Sequence, residues 1–295
     1  MERRDLGSLQ VHPVGLGTRW FATLLDRTES ARLVAGALDV GLDLLLTTET
    51  DADGEAEVHV GRAIGPSRDD VVLATTVGDS APELGVARLS REHVRTSVDA
   101  SLRRLQRDWI DLYVLRDVDP RTSLEETLTA LHELVVAGKV RELGIGELPA
   151  ERLEEVVQAC DELALTTPVA MLVEYGPHRL GPDQELLPAV DELGLAALAT
   201  SPLAGGRLIR PDDDADEGPE DRIVRLRERL IDLARHQGRD VVDLALSWTT
   251  QRRGVAAAGA SARTTEQIAQ LGGVGLLGLD GIVLEELDER ITTVE

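Results

Sequence analysis

Lysine is almost missing from this chain: Lys139 stands alone, so arginine carries nearly all of the positive charge. Tyrosine is confined to Tyr113 and Tyr175, and cysteine to Cys160. One cysteine excludes a disulfide framework, and its place in "AERLEEVVQACDELA" predicts a small buried side chain on a helix, in keeping with a reducing cytoplasm. No apolar run approaches the ~18 residues of a membrane span, and "MERRDLGSLQ" has no apolar stretch behind its charges to act as an export signal. We therefore expect a cytoplasmic protein with no membrane partner. Basic groups are short overall, 31 against 54 acidic ones for a formal net charge of -23. Binding a polyanion requires basic groups to replace its counterions, so nucleic acid is excluded as a partner. No His/Cys spacing has the pattern of a metal site, and His59, His93, His132 and His236 fall in helical patterns as surface residues.

What is present is a long, regular alternation. With 295 residues and 42% hydrophobic content the chain can bury a full core, and the length suits one α/β barrel or two smaller domains, of which one domain is preferred. Eight short apolar runs, "PVGLGT", "LDLLLTT", "VVLATT", "IDLYVLR", "RELGIG", "VAMLVE", "LAALATS" and "GVAAAGA", are separated by amphipathic helical stretches. That rhythm predicts a (β/α)8 TIM barrel spanning residues 1–295. Helix punctuation agrees: Ser123 with Glu126 and Thr264 with Gln267 read as capping boxes, and Gly138 sits where a helix-terminating glycine belongs. Before the first run, "ERRDLGSLQVHPV" reads as a β-hairpin closing the barrel's bottom. Residues 210–222, "RPDDDADEGPEDR", lack apolar periodicity and are expected to form a mobile acidic loop.

The stretches "GLGT" (15–18), "SLRRLQRDWIDLYVL" (101–115), "EETLTALHELVVAGKVRELGIG" (125–146), "VEYGPHR" (173–179), "SPLAGG" (201–206) and "DLALSW" (243–248), in this order and spacing, resemble the aldo-keto reductase family over nearly the whole chain. The resemblance implies hydride transfer between NADP(H) and a carbonyl. In that scheme a tyrosine donates the proton, an aspartate and a lysine tune it, and a histidine orients the substrate. The family pattern lies on residues 41–61 without a gap and puts Leu46 at the aspartate position and Asp51 at the tyrosine position. Thr76 takes the lysine position and Arg116 the histidine position. A phenol near pKa ~10 donates a proton when a neighbouring cation lowers that value, whereas an exposed aspartate near ~3.9 is already ionised at neutral pH. Arg116 is a fixed cation. Reduction in the family's manner is therefore disfavoured.

The cofactor contacts that the resemblance implies are thinned in parallel. The positions that hold the carboxamide carry Gly146, Glu147 and Leu172, the one that stacks on the nicotinamide carries Thr200, and the one that reads adenine carries Leu271. The acidic loop 210–222 is expected near the pyrophosphate, where like charges repel. We accordingly expect weak NADP(H) binding or no cofactor. Phosphate-binding signals persist after the seventh and eighth runs, where Ser201, Leu203, Gly205, Arg207, Arg263 and Thr264 could still hold a phosphate or carboxylate beside a helix N-terminus.

Polar residues at the C-terminal ends of barrel strands are where chemistry is expected. The candidates for catalysis are Asp51, Arg116, Glu147 and Glu49, and those for substrate binding are Trp20, Tyr175, His178 and Asp117, with Glu174 beside them. Clustered carboxylates raise one another's pKa while Arg116 holds a neighbour ionised, so one acid and one base are available. The preferred reading is a non-redox acid/base enzyme, of lyase, isomerase or cyclase type, on a small metabolite. The alternatives are a catalytically inert binding or scaffold protein and a reductase with unusual residues. Asp51, Asp53, Glu55 and Glu57 also read as solvated acids favouring a helix N-terminus, and Arg116 as half of a structural pair.

Overall fold

The computed structural model describes residues 2–65, 70–78, 87–210, 221–274, 279 and 281–293. Its centre is a closed eight-stranded parallel barrel, and each strand falls on one of the eight apolar runs. They are β3 (Val14–Gly17), β4 (Leu44–Leu46), β5 (Val72–Val77), β6 (Ile110–Leu115), β7 (Val140–Ile145), β8 (Ala170–Glu174), β9 (Ala196–Thr200) and β10 (Val255–Ser261). The ring closes through β10 pairing with β3. Helices α1 (Arg27–Asp39), α2 (Glu55–Ile64), α3 (Arg91–Leu105), α4 (Leu124–Val136), α5 (Ala150–Glu162), α6 (Leu186–Glu192), α7 (Arg222–Gln237), α8 (Val241–Thr250), α9 (Thr265–Gly273) and α10 (Gly281–Thr292) make up the outer layer. Among these, two helices, α7 and α8, separate β9 from β10.

Strands β1 (Arg4–Leu6) and β2 (Leu9–Val11) form the expected antiparallel hairpin. Leu6, Leu9 and Val11 are buried with the inward-facing Leu44, Ala74, Leu112 and Ala170, so the hairpin plugs the barrel with apolar side chains. Gly7 turns at φ +62, and a Cβ there would stand 2.7 Å from Val169 Cγ1. The turn needs glycine on both counts.

Helix ends confirm part of the local reading and refine the rest. Ser123 accepts from the Glu126 N–H, but the Glu126 carboxylate reaches across to the Arg91 N–H instead of back to its own cap. Likewise Thr264 accepts from the Gln267 N–H while Gln267 Oε1 takes the Arg263 N–H. Both boxes are therefore half boxes, and the reciprocal one is at Asp26 and Glu29 on α1. Gly138 follows α4 at φ +72, as its position predicted. Cys160 is buried on α5 and its thiol is pushed up to about 11 by burial, so it is inert. His59 departs from the surface reading: it is 7% exposed, with Nδ1 3.0 Å from Ser30 Oγ between α1 and α2. Residues 211–220 of the acidic segment lie outside the described residues. Among the described residues no helix is long and apolar enough to cross a membrane.

Candidate functional site

Alternation along each strand decides what the barrel mouth presents. Leu44, Ala74, Leu112, Val114, Ala170, Leu172 and Leu198 belong to the inner cluster. Two residues further along the same faces come Leu46, Thr76, Arg116, Gly146, Glu174 and Thr200. Leu46 lies over Gly259, where a Cβ would stand 2.4 Å from Leu46 Cδ1. Thr76 is 3% exposed, while Arg116 and Glu174 are exposed. These six positions thus set Arg116 and Glu174 over an apolar floor.

Asp51 begins the short 3-10 turn after β4, and its N–H donates to Thr48 Oγ1 at 3.0 Å. Ala52 and Asp53, at φ 50 and 54, are both left-handed without being glycine, and Gly54 follows at φ 86. Strain of this kind costs on the order of 1 kcal/mol per residue and collects at working sites. Glu49 is 7% exposed and accepts the Gly78 N–H at 2.9 Å, so it ties β4 to the end of β5. Glu57 is no solvated helix-start acid. It is fully buried, accepting from Thr75 Oγ1 at 2.7 Å and Arg104 Nε at 2.6 Å. Burial raises its pKa, with Thr75 and Arg104 opposing.

Glu147 is committed elsewhere. Its carboxylate pairs with both terminal nitrogens of Arg179 and accepts the Glu174 N–H at 2.7 Å, and the Arg179 side chain holds its pKa below the usual carboxylate range. This is a clamp between the ends of β7 and β8. A group that ionises more readily folded than unfolded stabilises the fold above its unfolded value, about 4.3, and loses that contribution as pH falls through the depressed folded value. Because Glu147 and Arg179 are 31% and 38% exposed, screening limits the contribution to about 1 kcal/mol or less. In urea titrations at pH 7 and about 3.5, Glu147→Gln should show a smaller acid-induced loss of stability than the parent; an equal loss would remove the clamp from the account.

Neither tyrosine faces the mouth. Tyr113 is wholly buried on the helix side of β6, its hydroxyl without a hydrogen-bond partner among the described residues, and burial followed by the nearby Glu49 and Glu57 charges raises its pKa. Tyr175, expected among the substrate contacts, is also wholly buried. Its ring stacks on Trp248 with centroids 5.6 Å apart and its hydroxyl donates to Asp183 at 2.6 Å. Packing between β8 and α8 explains its burial. Lys139, at the start of β7 on the opposite face, pairs with Asp99 at 2.5 Å. His178 has a 9% exposed side chain, its Nε2 3.7 Å from Glu174 Oε1, and burial lowers its pKa. Asp117 is exposed and lies 3.6 Å from Arg88.

The phosphate-binding signals converge. A cavity of about 390 Å³ between the loops after β3, β9 and β10 is lined by Arg19, Trp20, Ser201, Leu203, Gly205, Arg210, Ser261, Arg263, Thr264 and Gln267 among others. Among the described residues, three arginines and no carboxylate line it, in a chain of net charge -23. Arg207 is not part of it: its guanidinium pairs with Asp221 at 2.6 Å at the start of α7. The sequence reading missed Arg19 and Arg210, although each directly follows or adjoins a motif at a strand end, "GLGTR" and "SPLAGGRLIR". Ser201 and Ala204, at φ 53 and 51, are left-handed in the loop after β9. Among the described residues no group of His, Cys, Asp or Glu has the makings of a metal site.

Comparison with known proteins agrees with this architecture. Residues 13–291 match the model of the aldo/keto reductase family. A probable voltage-gated potassium channel subunit beta of Arabidopsis thaliana is 28% identical, with 99% of this chain and 97% of that protein covered. The uncharacterized oxidoreductase YrpG of Bacillus subtilis is 29% identical over 98% and 95% of the two chains. Among solved structures, the holo form of aldo-keto reductase AKR11C1 from Bacillus halodurans superposes with a TM-score of 0.85 at 27% identity, covering 98% of this chain and 96% of that one.

Proposed function

This chain belongs to the aldo/keto reductase family, and we propose that it has kept the family's anion-binding rim while giving up tyrosine-driven carbonyl reduction. In this reading it acts on a small phosphate- or carboxylate-bearing metabolite by non-redox acid/base chemistry. The observation that carries it is the arginine-lined cavity: among the described residues Arg19, Arg210 and Arg263 are its charged lining, and guanidinium groups bind phosphate and carboxylate through paired N–H donors.

The nicotinamide end of a family cofactor finds little here. Gly146 N–H donates to Leu115 O at 2.6 Å, and a Cβ on Gly146 would stand 2.0 Å from Arg116 O, so β7 has closed against β6 where a side chain would meet a carboxamide. Glu147 is held by Arg179. Of the four catalytic candidates, Glu49 and Glu147 are structural anchors, which leaves Asp51 as base and Arg116 as the cation that orients an anionic substrate. Both tyrosine hydroxyls are withdrawn from the mouth by burial, which supports a mechanism without a phenolic proton donor.

The test is calorimetric and kinetic together. Inorganic pyrophosphate should bind saturably to the full chain, and NADPH oxidation with aldehydes and ketones should not exceed the enzyme-free rate. Low-micromolar NADPH binding with carbonyl-dependent turnover would replace this reading by a reductase.

A further inference from the structure

A cavity of about 300 Å³ lies on the helix side of β6, between the end of that strand, the loop after it and the first turn of α4. Leu89, Leu115, Val118 and Leu124 give it an apolar wall. Asp119 and Thr122, from the loop, also line it, and each brings a buried atom that the fold leaves unused. Asp119 Oδ1 accepts the Arg121 N–H at 3.0 Å, with Arg121 Nε 3.7 Å away. Oδ2 of the same carboxylate and Thr122 Oγ1 have no hydrogen-bond partner among the described residues.

Buried polar atoms in folded proteins are nearly always satisfied, so two orphans on one small cavity call for a partner that the chain does not itself supply. The Asp119 side chain is only 4% exposed. The Arg121 N–H holds its carboxyl below the usual carboxylate range against burial, with the nearby Arg88 and Leu89 amides adding to the effect. The group is therefore ionised at neutral pH and can only accept. What suits it is a donor, and a charged donor bonds a carboxylate more strongly than a neutral one. The other charges nearby do not make this an anion site: Arg152 on the lining donates to Glu155, and the start of α4 is met by its Ser123 cap and by Glu125 and Glu126. A volume of about 300 Å³ is at the small end of ligand sites.

We propose that this cavity is a second ligand site, separate from the barrel mouth, for a small organic amine. The ammonium group donates to Asp119 Oδ2 and Thr122 Oγ1, and an apolar body packs on Val118 and the three leucines. Binding here is independent of the arginine-lined cavity.

Amide chemical shifts of the isotope-labelled full chain, titrated with phenethylamine, phenethyl alcohol and phenylacetate, test this. Phenethylamine should shift the amides between Val118 and Leu124 saturably and bind about tenfold more tightly than phenethyl alcohol. Phenylacetate should leave them in place. In Asp119→Asn the amine should lose its advantage, the two affinities coming within about twofold of each other. Thr122→Val covers the case in which Asp119→Asn does not fold, since it replaces an unsatisfied hydroxyl by a methyl group of similar shape. There Tm should rise by about 2 °C while amine affinity falls about two- to tenfold. The site is overturned by the absence of saturable shifts at these residues, or by alcohol or phenylacetate binding there as tightly as the amine. An amine preference that survives in Asp119→Asn, or an unchanged amine affinity in Thr122→Val, overturns it equally.

Discussion

Replacing Arg19 and Arg263 together by alanine should weaken pyrophosphate binding by about 100-fold or more. Each substitution removes a hydrogen-bonding charge, and contacts of that kind are worth about 1.5–3 kcal/mol apiece. The two come from loops after β3 and β10 and reach one cavity, so each single variant should retain measurable binding while the pair loses it. Folding should be little affected. Both side chains pack on the partly exposed Trp20 ring, and surface substitutions of this kind stay near about 0.5 kcal/mol. Calorimetry gives the affinity and urea denaturation the stability. A double variant that binds pyrophosphate as the parent does would move the anion site away from this cavity, and with it the proposed substrate class.

Gly146→Ser should cost about 2–3 kcal/mol of stability, and about 6 °C or more in Tm, without creating a cofactor contact. The resemblance to the family implies a serine at this position, so the substitution is a reversion in sequence. In this barrel it is an insertion into filled space, because the new Cβ would stand 2.0 Å from Arg116 O, a backbone atom with nowhere to retreat. Overpacking against backbone forces the strand to shift. The displaced segment carries Glu147, so the Arg179 clamp should loosen with it. Thermal unfolding measures the first effect and NADPH titration the second. A stable variant with new tight NADPH binding would mean that the serine fits as it does in a reductase, and that the nicotinamide end of the groove is open.

The barrel is legible in the amino-acid order because the features that encode it are local. Short continuous apolar runs such as "VVLATT" and "IDLYVLR", buried on both faces, and helical stretches with Ser123, Thr264 and Gly138 at their ends each act over a few residues. The hairpin plug was legible for the same reason, through a Gly-Ser turn between two short runs. The capping boxes were half right: Ser123 and Thr264 cap their helices, but Glu126 found the Arg91 N–H, a partner 35 positions away that no local pattern could name.

The site divided along the same line. That a lone lysine and two tyrosines leave few proton donors followed from the amino-acid order alone, and the family resemblance is what singled out Leu46, Asp51, Thr76 and Arg116. Which carboxylates remain available followed from neither. Glu147 is drawn to Arg179 across two strand ends, Glu49 to the Gly78 N–H, and Glu57 into full burial against Arg104. Arg19, Arg210 and Arg263 are far apart in the chain and meet because closing the ring puts β10 beside β3 and β9. Charge summed over the sequence is strongly acidic, while the field in one cavity depends on the few side chains that tertiary contact turns toward it.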